Sequence, residues 1–156
     1  MYLLLKLLHI VFVIAFLGNI TTGLFWHAHA ARTGDPGLIA HAMAGIIRSD
    51  RWFTMPGVFG IIITGVAAAL FAGYSLLGTG WILWTLILFG ISGLLFGVFV
   101  APLQKQLLAQ ARAGKESGEF DLQAYQGLAR RWEFWGALAL ITPLGGLVLM
   151  VLKPAL

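Results

Sequence analysis

Residues 6–30, KLLHIVFVIAFLGNITTGLFWHAHA, decide how the rest of the chain is read. Between Leu7 and Trp26 there is no formal charge, and His9, Asn19, Thr21 and Thr22 are the polar exceptions. A helix rising 1.5 Å per residue needs about 20 such residues to cross the hydrocarbon layer of a bilayer. The run also outlasts the apolar part of a cleavable signal peptide, so it is expected to remain as a first span.

Composition generalises that reading. The chain has 156 residues, 60% of them hydrophobic and 10% charged, with mean hydropathy +0.91. A soluble domain carries about 45–50% apolar and about 25% charged residues, and a domain this small leaves much of its surface wet. The surplus therefore faces lipid. Cysteine is absent, which excludes disulfides, iron–sulfur clusters and thiolate metal sites. The net charge of +4 sits beside apolar runs, so it reads as a topology signal and not as a nucleic-acid surface.

Four spans follow, at about 2–26, 53–73, 80–101 and 132–152. None shows the apolar–polar alternation of a barrel strand, and helices are the other way to satisfy a backbone in lipid. The expected fold is all-α: one transmembrane domain over 1–156, an antiparallel four-transmembrane-helix bundle. RTGDPG at 32–37 reads as a turn and AGYSLLGTG at 72–80 as a short connection. ARAGKESGEFD at 111–121 reads as a polar, flexible loop. Amphipathic segments at 38–48, 103–112 and 122–131 extend the spans. Arg32, Arg48, Arg51, Lys105, Arg112, Lys115, Arg130 and Arg131 share one end, and only Lys6 and Lys153 lie at the other. Positive-inside reasoning makes the first end cytoplasmic and puts both termini outside. Trp26, Trp52, Trp132 and Trp135 are then expected at the inner interface, and Tyr2, Tyr74, Trp81 and Trp84 at the outer one.

Glycines at 57, 60 and 65, at 90, 93 and 97, and at 136, 145 and 146 mark close helix approach. Pro56 and Pro143 lie inside spans, where proline frees a carbonyl and kinks the helix. Ionisable groups at membrane depth are costly and point to function. Lys6 snorkels outward, whereas His9, one turn deeper, is held in the span. Asn19 is expected to hydrogen-bond across helices. His27 shares a face with His9 but lies ~27 Å away, so the two cannot hold one ligand. His9, with Met150 as a sixth ligand or alone, is the candidate haem b position, since histidine–methionine ligation is a known haem arrangement. His27, His29 and His41 are candidate metal ligands if the 32–37 turn folds the next helix back, although positions i and i+2 lie about 200° apart on a regular helix. Arg48, Asp50, Arg51, Arg130, Arg131 and Glu133 are expected to form a charged cluster at the inner mouth.

The opening MYLLLKLLHIVFVIAFLGNITTGLFWHAHAARTGDP, then SDRWFTMPGVFGIIITG, AGYSLLGTGWILWTLILF and GLVLMVLKP, resemble a bacterial family of predicted integral membrane proteins catalogued as a domain of unknown function. The resemblance covers essentially the whole chain and implies four spans in the bacterial inner membrane, with no reaction attached. A weaker resemblance, in the K-x-LH opening, runs to the membrane-bound protoporphyrinogen oxidase family and implies a haem b role for His9. The copper-resistance D family is similar in having a small helical bundle with a histidine near the start of a span. The functional expectation is a haem b-binding membrane redox protein. The alternative is a non-enzymatic small transporter or an accessory subunit of a larger membrane complex. Partners are the lipid bilayer and a homo-oligomer or larger membrane complex.

Overall fold

A computed structural model describes residues 1–155; Leu156, the last residue of the expected domain, lies outside them. In chain order the elements are α1 (Tyr2–Ala31), α2 (Pro36–Ser49), a π-helical turn (Asp50–Thr54), α3 (Met55–Phe71), α4 (Gly80–Leu95), a second π-helical turn (Phe96–Val100), α5 (Ala101–Ser117) and α6 (Leu122–Leu152). The π turns leave the helices continuous. Four helical rods result, Tyr2–Ala31, Pro36–Phe71, Gly80–Ser117 and Leu122–Leu152, each long and apolar enough to cross a membrane.

One expectation holds and one shifts. The amphipathic segments extend the spans without a break, and the 111–121 loop shrinks to four residues because α5 runs on to Ser117. Ala, Arg, Lys and Glu at 111–116 are strong helix formers. Gly118 then ends the helix at φ +73°, a left-handed cap that glycine adopts without strain. The other turns follow their chemistry. Asp35 caps α2, its Oδ1 accepting from the Gly37 N–H at 2.7 Å, with Pro36 as the first helical residue. Asp121 caps α6 through the Ala124 N–H at 2.9 Å.

Rods of 30 residues and more exceed the ~20 that a bilayer requires. Their excess collects at one end as a cap of α2, α5 and the start of α6. The densest core lies in this cap, around Ile39, Met43, Leu107, Ala111 and Tyr125. Toward the termini the helices turn Leu3, Leu7, Ile14, Ile63, Leu94 and Val151 outward as a lipid-facing surface. Trp132, expected in an interfacial belt, is instead core because it sits where the cap meets the spans; Trp26 and Trp52 are exposed.

Below the cap the spans form two pairs, α1 with α3 and α4 with α6, and α3 and α4 do not approach each other. Glycines make the first pair. A Cβ at Gly60 would overlap the Phe12 ring, one at Gly57 would stand 3.2 Å from Phe16 Cβ, and one at Gly65 would stand 2.8 Å from His9 Cε1. α3 is thus a row of sockets for three rings of α1. In the second pair Pro143 has no N–H for the Ala139 carbonyl four residues back. Ser92 on α4 supplies the missing donor, its hydroxyl lying 2.6 Å from that oxygen. At the far end Lys153 Nζ stands 5.3 Å from the Trp81 ring and 5.9 Å from that of Tyr74, tying α6 to the start of α4.

Each π turn begins six residues before a proline, Asp50 before Pro56 and Phe96 before Pro102. Proline cannot donate to the carbonyl four residues back and its ring crowds that oxygen. One extra residue per turn relieves the crowding, and the bond that results runs from the Met55 N–H to Asp50 O and from the Ala101 N–H to Phe96 O. In the first of these turns the wider backbone carries an aspartate to the bundle axis.

Candidate functional site

Asp50 opens the first π turn and is 8% exposed. Its Oδ1 accepts from Asn19 Nδ2 at 2.9 Å and from Thr54 Oγ1 at 2.8 Å, and its Oδ2 accepts from Gln104 Nε2 at 2.8 Å. Asn19 Nδ2 also lies 2.9 Å from Thr54 Oγ1. Three rods therefore converge on one carboxylate. All its donors are neutral, and among the described residues no cation pairs with it. A buried charge is normally paired, because taking it out of water costs several kcal/mol. Here hydrogen bonds alone meet that cost. A pocket of about 20 Å³ beside the cluster is bordered by Asp50, Asn19, Gln104, Gly23 and Trp132, a volume suited to one water.

A larger cavity lies next to it, on the membrane side. It holds about 480 Å³ between the two helix pairs and is lined by Phe16 and Ile20 of α1, Val58 and Ile62 of α3, Phe89, Gly90, Ser92 and Gly93 of α4, Phe96 and Gly97 of the second π turn, and Ala139 of α6. Thr54 stands at its cap end, and Ile20, Phe96 and Ala139 border both spaces. The Phe16 and Phe89 rings meet across it at 5.6 Å. Gly90, Gly93 and Gly97 form one wall, and a Cβ at any of them would touch nothing within 4 Å. This wall is open because α3 and α4 stay apart.

A second polar group lies in the cap. His27 is 0% exposed, packed against Trp132 at 4.7 Å between centroids. Its Nε2 is 3.0 Å from the Tyr125 hydroxyl, and its Nδ1 is 3.4 Å from Glu133 Oε1. That second approach is within ion-pair reach but off hydrogen-bond alignment, and among the described residues Nδ1 and the Trp132 Nε1–H have no hydrogen-bond partner.

The residues singled out from sequence fall in separate places. His9 packs on α3, with Nδ1 3.1 Å from the Ile61 carbonyl. A carbonyl can only accept, so Nδ1 carries the proton and Nε2 keeps its lone pair. Met150 lies on α6, which packs chiefly on α4 and more lightly on α1, whereas the polar partners of His9, Ile61 O and Thr64 Oγ1, both lie on α3. His27 points inward while His29 and His41 are exposed, as the 200° between positions 27 and 29 requires. Among the described residues no group of three His, Asp or Glu is placed to hold a metal ion. The charged cluster separates as well: Arg48, Arg51, Arg130 and Arg131 are exposed, Asp50 turns inward to neutral partners, and Glu133 turns toward His27. The interhelical role expected of Asn19 is realised. Gln104, Thr54 and Tyr125 were not singled out by sequence, because each is polar beside a span and looks like a surface residue until its helix is paired. The signal that finds Tyr125 is its place in a heptad row along α6.

The family model described as predicted integral membrane protein (DUF2269) matches residues 3–154. No curated protein and no solved structure matches the chain.

Proposed function

Since the chain belongs to the DUF2269 family of integral membrane proteins, we propose that it is a non-enzymatic small transporter whose working group is Asp50. The observation that carries this reading is a buried carboxylate held by three neutral donors and, among the described residues, no cation, one hydrogen bond through Thr54 from a cavity between helix pairs. Intramembrane carboxylates without a fixed counter-charge take up and release protons or other cations. Asp50 is the one ionisable group bordering the small pocket. Its charged neighbours in sequence, Arg48 and Arg51, are exposed, and His27 and Glu133 lie beyond Trp132. The donors around Asp50 hold the carboxylate, and Thr54, donating to it from the cavity's cap end, links its state to what occupies the cavity.

Infrared titration of the purified protein tests this. One component of the protonated-carboxyl band that grows on acidification is expected to be present in the wild type and in Glu133→Gln and missing in Asp50→Asn. Identical titrations in wild type and Asp50→Asn would remove the reading.

The same reading sets the cap in the cytoplasm of a bacterium and both termini outside, on the strength of the eight basic residues at the cap end. A reporter inserted after Glu116 is expected to be active only as a cytoplasmic fusion; activity of a periplasmic reporter there reverses the orientation.

A second reading keeps haem b on His9. It rests on the Nδ1 bond to Ile61 O, which orients the ring and leaves Nε2 for a ligand. Haem would supply one-electron chemistry, and His9 would act as a single axial ligand without Met150. A Soret band lost in His9→Ala supports it, and a colourless preparation that haem leaves unchanged ends it.

A further inference from the structure

The cavity and the carboxylate together describe a ligand. The walls are apolar, three phenylalanine rings (Phe16, Phe89 and Phe96) line them, and behind the lining, one hydrogen bond away through Thr54, stands the negative Asp50. Aromatic faces attract cations, most strongly when both are out of water. A neutral apolar molecule would have no use for Asp50, and an anion would be repelled by it. An inorganic cation would gain nothing from the apolar walls. A volume of about 480 Å³ is in the range of small-molecule sites, commonly ~300–1,000 Å³. The open side between α3 and α4 faces the bilayer, so the ligand need not pass through water to enter.

We infer that the cavity binds a lipophilic organic monocation taken laterally from the membrane. The inference rests on the transporter reading and names the substrate class of that same site. The exchange balances simply: the Asp50 carboxylate pairs with the one positive charge of the ligand, and at a pH low enough to protonate Asp50 the ligand displaces that one proton to solution. Thr54 is the positioning residue between them, because its hydroxyl donates to Asp50 from the cavity wall.

Tetraphenylphosphonium is the probe, with tetraphenylborate, of the same shape and opposite charge, as its control. The full chain in detergent is expected to bind tetraphenylphosphonium saturably, to release up to one proton per ligand in the acidic range where the infrared band shows Asp50 protonated, and to leave tetraphenylborate unbound. Asp50→Asn is expected to weaken binding at least tenfold and to abolish proton release. Gly93→Leu fills the cavity from a wall where a side chain meets nothing, so it should keep the melting temperature and lose the ligand. Equal binding of the two probes, or tetraphenylphosphonium affinity unchanged in both Asp50→Asn and Gly93→Leu, would overturn the inference. If the infrared band at Asp50 is present while tetraphenylphosphonium fails to bind, the substrate class falls and the proton-exchanging carboxylate stands. If the band is absent as well, both fall.

Discussion

Gly60→Ala is expected to lower the melting temperature of the detergent-solubilised protein by about 5 °C, whereas Gly90→Ala and Gly93→Ala leave it unchanged or slightly raised. The difference between these outcomes is set by neighbours, not by glycine itself. A methyl group at Gly60 would occupy the Phe12 ring, so α1 and α3 must separate or the ring must leave its socket. Overpacking of this kind costs roughly 1–3 kcal/mol, and in a chain of this size each kcal/mol moves the midpoint by about 2–4 °C. At Gly90 and Gly93 the added methyl meets nothing, and alanine is favoured over glycine in a helix by up to about 1 kcal/mol. Equal shifts at all three positions would show that the paired arrangement of α1 and α3 is wrong.

Asn19→Leu should be the most damaging single polar change. It removes a donor shared by Asp50 and Thr54 and leaves a buried carboxylate with two of its three side-chain hydrogen bonds. A hydrogen bond to a charged group is worth about 1.5–3 kcal/mol, and a buried charge that loses a partner adds its own desolvation. A destabilisation of about 3 kcal/mol is expected, read as a fall of roughly 6–12 °C in the melting temperature. Adding Asp50→Leu to Asn19→Leu removes the stranded charge and should recover part of that loss. The pair is in contact, so their effects are not additive. If the double variant melts at the sum of the two single shifts, Asn19 and Asp50 are not coupled and the cluster is not built as described.

The four spans, the turn chemistry at Asp35 and the glycine contacts of α3 were legible because each is local: run length, a capping aspartate, a three-and-four spacing of small residues. One row went unread although it was there to see. The buried residues of α6, Tyr125, Ala129, Trp132, Gly136, Ala139, Pro143 and Gly146, alternate by four and three along the whole helix. That is a heptad seam, and it carries the cap and the span as one rod. The Asp50 site was legible only in part. Asn19 stands out in its span, but its partners lie 31, 35 and, for Gln104 on Asp50, 54 residues apart in sequence. Which helix faces it depends on how the rods pair, and the π turn that aims Asp50 inward depends on a proline six residues away. His9 drew attention as the sole histidine in its half of the membrane, yet its Nδ1 is engaged by a backbone carbonyl that no sequence pattern marks.

The two π turns have a mechanical consequence. Both sit where a firmly packed cap gives way to the more loosely joined spans, on the two rods between whose arms, α3 and α4, the cavity is open. The cap acts as a fulcrum and α3 and α4 as the jaws. From Met55 to Phe71 the α3 jaw is about 24 Å long, so a swing of roughly 10° at its base displaces its tip by ~4 Å. Near Thr54 and Val58 the same swing moves the wall by only a fraction of that. The mouth can therefore widen like a pair of tweezers while the grip on Asp50 keeps its shape.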